Sequence, residues 1–166
     1  MARLRAFAGS LVSWLAVLAA IALVQGMMTR GLQDHGRPPE LQGLKVDGAR
    51  FAGLDALPKP AVIYFWASWC GICKAMQGTV AGLAAEVPVI TVATQSGDRS
   101  EVAYYQRQSQ FYVPTLLDED GESARNYGLR GVPTFFIIGR DGTIQFATTG
   151  LTSAWGIRLR LWLAGQ

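Results

Sequence analysis

Seven consecutive apolar residues, Ala61 to Ala67 (AVIYFWA), end three residues before a cysteine. A short unbroken run of branched and aromatic side chains predicts a strand buried on both faces, which requires a packed layer above it and another below. Cys70 and Cys73 follow in Trp69-Cys70-Gly71-Ile72-Cys73-Lys74 and are the only two cysteines of the chain. Beyond them Cys73, Met76, Val80, Leu83 and Ala84 fall at helical spacing and form one stripe. The pair therefore sits where a buried strand gives way to a helix.

The pattern continues with a second buried strand over Pro88 to Ala93 and a helix over Ser100 to Ser109 capped by Ser100. Pro114 to Leu117, the acidic group Asp118 to Glu122, read as a solvated turn, and a short helical piece to Tyr127 come next. Thr134 to Ile138 and Thr143 to Thr148 are joined by Gly139-Arg140-Asp141-Gly142, a strong hairpin signal. In the last stretch Trp155, Leu159, Trp162 and Leu163 recur at helical spacing, predicting a terminal helix that packs on the sheet. A βαβ half followed by a hairpin and a helix is an α/β chain with a mixed central sheet flanked by helices. At 166 residues it has room for one such domain.

The net charge of +3 is confined to one end. From Gly31 onward 12 basic residues balance 12 acidic ones, and the excess is Arg3, Arg5 and Arg30. A neutral folded part with no basic stripe offers no footprint for nucleic acid.

Residues Ala6 to Val24 carry no charge, and these 19 residues approach the roughly 20 that a helix needs to cross a bilayer. A removable signal peptide has a shorter apolar centre and a small-x-small cleavage site, which Ala22 to Met27 match poorly, so an uncleaved anchor is favoured over a removed signal. Arg3 and Arg5 before the run keep the N-terminus cytoplasmic and send the rest of the chain across the membrane, in a bacterium to the periplasm. The expected organisation is a single-pass inner-membrane anchor over 1–30, a linker over 31–40 holding the lone His35, and the domain over 41–166.

At the start of a helix, unpaired backbone N–H groups and the helix dipole favour a thiolate. Cys70 is then the nucleophile, its pKa drawn from about 8.5 into the range of roughly 3.5 to 7.5. Cys73, one turn on and facing inward, resolves the mixed disulfide. A zinc site lacks its four ligands here. A structural disulfide, which would close a very short loop, and a Cu(I) site made by two soft thiolates stay open beside disulfide exchange. No cofactor other than the redox-active disulfide, and no metal, is expected.

Phe65 to Lys74, followed 59 residues after Cys73 by Val132-Pro133-Thr134, resembles the thioredoxin superfamily, and within it the membrane-anchored TlpA/DsbE-like group. Ser96-Gly97-Asp98, Thr148 to Ser153 and Gly156 to Trp162 are similar to the ScsD-like branch, named for suppression of copper sensitivity. The resemblance implies a thioredoxin-like fold and exchange of disulfides with client proteins that carry cysteines. It implies a cis bond at Pro133, with the Val132 backbone open to an extended client beside Cys70. Trp69, Gly71, Ile72 and Lys74 are the expected active-site support: Trp66 ends a buried strand and is read as core, Trp69 beside Cys70 as part of the client-facing rim, and Lys74 is close enough to help the Cys70 thiolate, with a simply solvated lysine as the alternative.

Relatives often carry a buried acid six residues before the first cysteine or three after the second. Here Tyr64 and Met76 stand at those positions. The implied activity is that of a membrane-tethered reductase, restored by a membrane thiol reductase of the DsbD/ScsB type. A Cu(I)-handling module and a reductant of apocytochrome cysteines are the alternatives. If the first 30 residues are only an anchor, deleting them should leave a soluble, folded domain with a cooperative unfolding transition; an insoluble, unfolded product would contradict the anchor.

Overall fold

The computed structural model describes residues 32–166, together with residues 14–17, 19, 20 and 23, which are helical. The chain divides at Arg30 into two units, the second being Gly31–Gln166. Most of the run Ala6 to Val24 lies outside the described residues, and among the described residues no helix is long and apolar enough to cross a membrane.

Strand β1 (Ala61–Trp66) lies at the middle of a five-stranded sheet, and all six of its residues are buried. It pairs in parallel with β2 (Val89–Thr94), which pairs in parallel with β3 (Thr115–Asp118). On its other side β1 pairs antiparallel with β4 (Thr134–Ile138), which forms the hairpin with β5 (Ile144–Thr149). The order β3-β2-β1-β4-β5 is the mixed sheet expected from the alternation of elements.

Side chains alternate across β1 and so supply two cores. Val62, Tyr64 and Trp66 join Cys73, Met76, Val80 and Leu83 of helix α1 (Gly71–Ala84) and Val102 of α2 (Arg99–Ser109). Ile63 and Phe65 pack with Leu32, Leu41, Phe136 and Tyr127, the last at the end of the short helix α3 (Glu122–Asn126). One polar thread crosses the first core. Trp66 Nε1 donates to Thr91 Oγ1, the Thr91 and Thr115 hydroxyls are 2.7 Å apart, and Gln106 Nε2 donates to Thr115 Oγ1. Each polar group of this thread thereby keeps a partner, which avoids the cost of desolvating it alone.

Several local expectations are corrected. Helix α2 is capped by Asp98, not Ser100: the Asp98 carboxylate accepts from the backbone N–H of Ser100 and Glu101, and the Glu101 carboxylate accepts from Asp98 N–H. Asp118 is buried rather than solvated, because its carboxylate accepts from the N–H groups of Ser123 and Ala124 and caps α3. Residues 32–40, read as a linker, lie against the domain: Leu32 is buried, Gln33 N–H donates to Tyr127 O, and Tyr127 Oη donates to Pro39 O. The same segment bridges Gly36 to Ile144 of β5, and Lys45 further on bridges to Leu116 of β3. Lys59–Pro60 is a second cis bond beside Val132–Pro133.

The terminal helix α4 (Ala154–Ala164) does cover the sheet, but with the opposite face. Ile157, Leu161 and Ala164 are buried, whereas Trp155, Leu159, Trp162 and Leu163 are exposed. Both faces of this helix are apolar, so periodicity revealed the helix without revealing its inward side. Ile157→Ala should therefore cost about 2–5 kcal/mol of stability, while Trp155→Ala should stay within about 0.5 kcal/mol, as urea unfolding midpoints would report.

Candidate active site

β1 ends at Trp66, and Cys70 N–H donates to Ala67 O as the chain turns into α1. Cys70 is the N-cap of that helix: its Sγ accepts from Cys73 N–H at 3.1 Å. A sulfur in this place meets a helix N–H group and the positive end of the dipole, both of which favour negative charge on it. Cys70 and Cys73 are joined as a disulfide, with Cα atoms 5.2 Å apart. Cys70 is 8% exposed and Cys73 1%, so the first sulfur is the one that an outside thiol or disulfide can reach.

The other expected residues converge here. Val132–Pro133 is cis, and Val132 O lies 3.6 Å from Cys70 Sγ. Val132 N–H has no hydrogen-bond partner among the described residues. Gly71, Ile72 and Lys74 are on the exposed side of the first turn, with Ile72 half exposed, while Trp66 is in the core.

Trp69 stands up from the rim, 66% exposed, held by a hydrogen bond from its Nε1 to Gln95 O. It separates two grooves. One of about 320 Å³ runs toward Val132 and is walled by Gln95, Ala124, Arg125 and Arg130. The other, of about 570 Å³, opens against Tyr104, Tyr105 and Gln108 of α2.

Two runs that resembled a branch of the family without a stated mechanism acquire one. Ser96 Oγ accepts from Ser68 N–H and donates to Thr94 O, which ties the loop before Cys70 to the end of β2. Gly97 has φ +88°, and a Cβ there would collide with the Glu101 carboxyl group that completes the α2 cap. On the far side, the Thr149 hydroxyl meets that of Thr134, Thr134 Oγ1 donates to Gly131 O, and Gly150 N–H donates to Pro133 O. These bonds hold the Val132–Pro133 loop from behind. Gln95, Arg125 and Arg130 were not foreseen as wall residues; Gln95 acts through its carbonyl, which any residue type would supply.

Residues 37–147 match the model of the AhpC/TSA family. The chain belongs to that family. It is 36% identical over 125 residues to a thioredoxin-like protein of Haemophilus influenzae, covering 75% of this chain and 74% of that one. A thio-disulfide isomerase from Thermus thermophilus matches with a TM-score of 0.66 and 28% identity, over 78% of this chain and 96% of that. A secreted Mycobacterium tuberculosis disulfide oxidoreductase, homologous to DsbE of E. coli, matches with a TM-score of 0.62 and 26% identity, over 74% and 95%. With Cys70 and Cys73 in place at the helix start, the chain is a thiol:disulfide oxidoreductase of the DsbE/thioredoxin-like type.

Within this family member the surroundings of Cys73 are apolar. Tyr64 is buried and stacks on Phe135 at 4.5 Å between ring centres, and Met76 is buried on the same side of the sheet. Burial, with a smaller contribution from the nearby Tyr105 phenol, pushes the Tyr64 hydroxyl well above its ordinary value, so it stays protonated at neutral pH. Its oxygen finds no hydrogen-bond partner among the described residues. A buried unpaired hydroxyl is a cost that Phe would not carry, so Tyr64→Phe should raise stability by about 1 kcal/mol. A urea midpoint that falls instead would mean that the hydroxyl has a partner in solution.

Proposed function

We propose that this protein reduces disulfides of client proteins in the bacterial periplasm while tethered to the inner membrane, as a member of the ScsD-like branch. The observation that carries the chemical part is the unequal placement of two bonded sulfurs, Cys70 at the helix N-cap and the rim, Cys73 beneath it. The tether and the compartment rest on the uncharged run Ala6 to Val24 preceded by Arg3 and Arg5.

In the reduced protein the Cys70 thiolate attacks one sulfur of a client disulfide, forming a mixed disulfide and releasing the other client sulfur as a thiolate. Cys73, deprotonated, then attacks Cys70 Sγ; the Cys70–Cys73 bond closes and the second client thiol leaves. Two electrons pass to the client, which takes up two protons. A membrane dithiol reductase of the DsbD/ScsB type returns two electrons and reopens the pair. The Val132 backbone, whose N–H has no hydrogen-bond partner among the described residues and whose carbonyl lies beside Cys70 Sγ, pairs in this reading with an extended client segment while Cys70 reacts.

Insulin reduction with a dithiol as electron source should be catalysed by the wild type and abolished by Cys70→Ala. In cells, Cys73→Ala should accumulate mixed disulfides between Cys70 and its clients. Trapping that requires Cys73 and tolerates Cys70→Ala would reverse the two roles. Absent turnover together with tight one-to-one Cu(I) binding would replace the enzyme by a copper-handling module.

A further inference from the structure

The two grooves beside Trp69 differ in charge. The one that runs toward Val132 has Arg125 and Arg130 in its wall and no acidic residue. The one against α2 has Glu101 as its only charged wall residue, and that carboxylate already accepts from Asp98 N–H. Both arginines are exposed, and neither is ion-paired among the described residues. Arg125 Nη1 donates to the backbone carbonyl of Asp120, which places the guanidinium without neutralising it. The neighbouring acids do not enter the groove: Asp118 is turned onto the N–H groups of Ser123 and Ala124, and Glu119, Asp120 and Glu122 are exposed outside the wall. Lys74, on the exposed side of α1, lines neither groove.

The basic groove adjoins the reacting sulfur. Val132 is part of its wall, and Val132 O lies 3.6 Å from Cys70 Sγ. A side chain next to a client cysteine is therefore within reach of the groove while Cys70 reacts. Trp69, Ala124 and Leu129 give the wall apolar surface, which displaces water and ions and so weakens the screening of a charge held there. Two guanidinium groups in such a place suit a carboxylate, whose oxygens match their planar N–H fork. The domain as a whole exerts no comparable pull, because from Gly31 onward its 12 basic and 12 acidic residues balance. Any discrimination by charge is local to the groove.

We infer that the groove walled by Arg125 and Arg130 selects clients that carry an acidic side chain beside the reacting cysteine. This deepens the functional reading above and rests on its exchange of disulfides between Cys70 and client proteins. The unlike charges of the two grooves make the selection one-sided. An acid is favoured on the flank of the cysteine that enters the groove beside Val132, and is not favoured on the flank that faces Glu101. The arginines act on the encounter and on the mixed disulfide, and the bond exchange itself stays with the two sulfurs.

The full chain carrying Cys73→Ala, in nonionic detergent at low salt, would be offered short peptide disulfides that differ only in Glu or Lys at one position, before the cysteine or after it. The Cys70 thiolate attacks the peptide disulfide, one peptide thiol leaves, and the other half stays bonded to Cys70, where mass spectrometry counts it. Corrected for the reaction of the same peptides with a small dithiol, Glu should be captured about fivefold over Lys in one of the two placements, the size expected of exposed ion pairs. Arg125→Gln with Arg130→Gln should bring the two peptides level, and Arg125→Lys with Arg130→Lys should keep most of the preference. Equal capture of Glu and Lys in both placements overturns the inference, as does a Glu preference that is the same in both placements or unchanged by the Gln variants. Insulin reduction by the wild type reports separately on the functional reading. Turnover without charge preference removes the inference alone, selective capture without turnover removes the reductase alone, and capture of neither peptide overturns both.

Discussion

The burial of β1 on both faces governs the thiol end of the molecule. Each of its six residues is covered, and the strand is locked in register between β2 and β4, so the point where it stops is set by the whole sheet. The turn at Ala67 then delivers Cys70 to the first position of α1. From there helix geometry makes the two sulfurs unequal. The stripe that glues α1 to the sheet includes Cys73 with Met76, Val80 and Leu83, so the second sulfur is buried by the same spacing that holds the helix down. Cys70, as the cap, lies outside that stripe and keeps its edge toward solvent.

Around this fixed point the walls are supported by separate sets of bonds. On one side Ser96 and Gln95 hold Ser68 and Trp69; on the other Thr134, Thr149 and Gly150 hold the loop of Val132 and Pro133. Each such hydrogen bond contributes on the order of 1 kcal/mol net, so neither wall depends on one contact. The two supports share no residue.

The fold was legible where a run had only one apolar interpretation. β1 is apolar on both faces, and α1 has one apolar stripe, so their burial could be read directly. α4 was legible as a helix but not in orientation, because Ile157, Leu161 and Ala164 compete with Trp155, Leu159 and Trp162 for the inward side. Residue bulk pointed to the tryptophans, and packing chose the smaller residues. Acidic side chains misled in a different way. Asp118 looks like part of a solvated turn until the N–H groups of Ser123 and Ala124 are seen to need an acceptor. The position of the site was legible from Cys70, Cys73 and Val132-Pro133, while the groove walls formed by Gln95, Arg125 and Arg130 come together only through the tertiary fold.

The segment from Leu32 to Phe51 has a consequence for how the sheet meets other chains. Its two bridges to the sheet fall on the two outer strands, Gly36 on β5 and Lys45 on β3, so one stretch of the protein's own backbone interrupts both open rows of strand hydrogen-bonding groups. An open row of that kind is a template for any extended polypeptide, folded or misfolded. With a pin on each border, an incoming strand is discouraged from adding to the sheet at either edge.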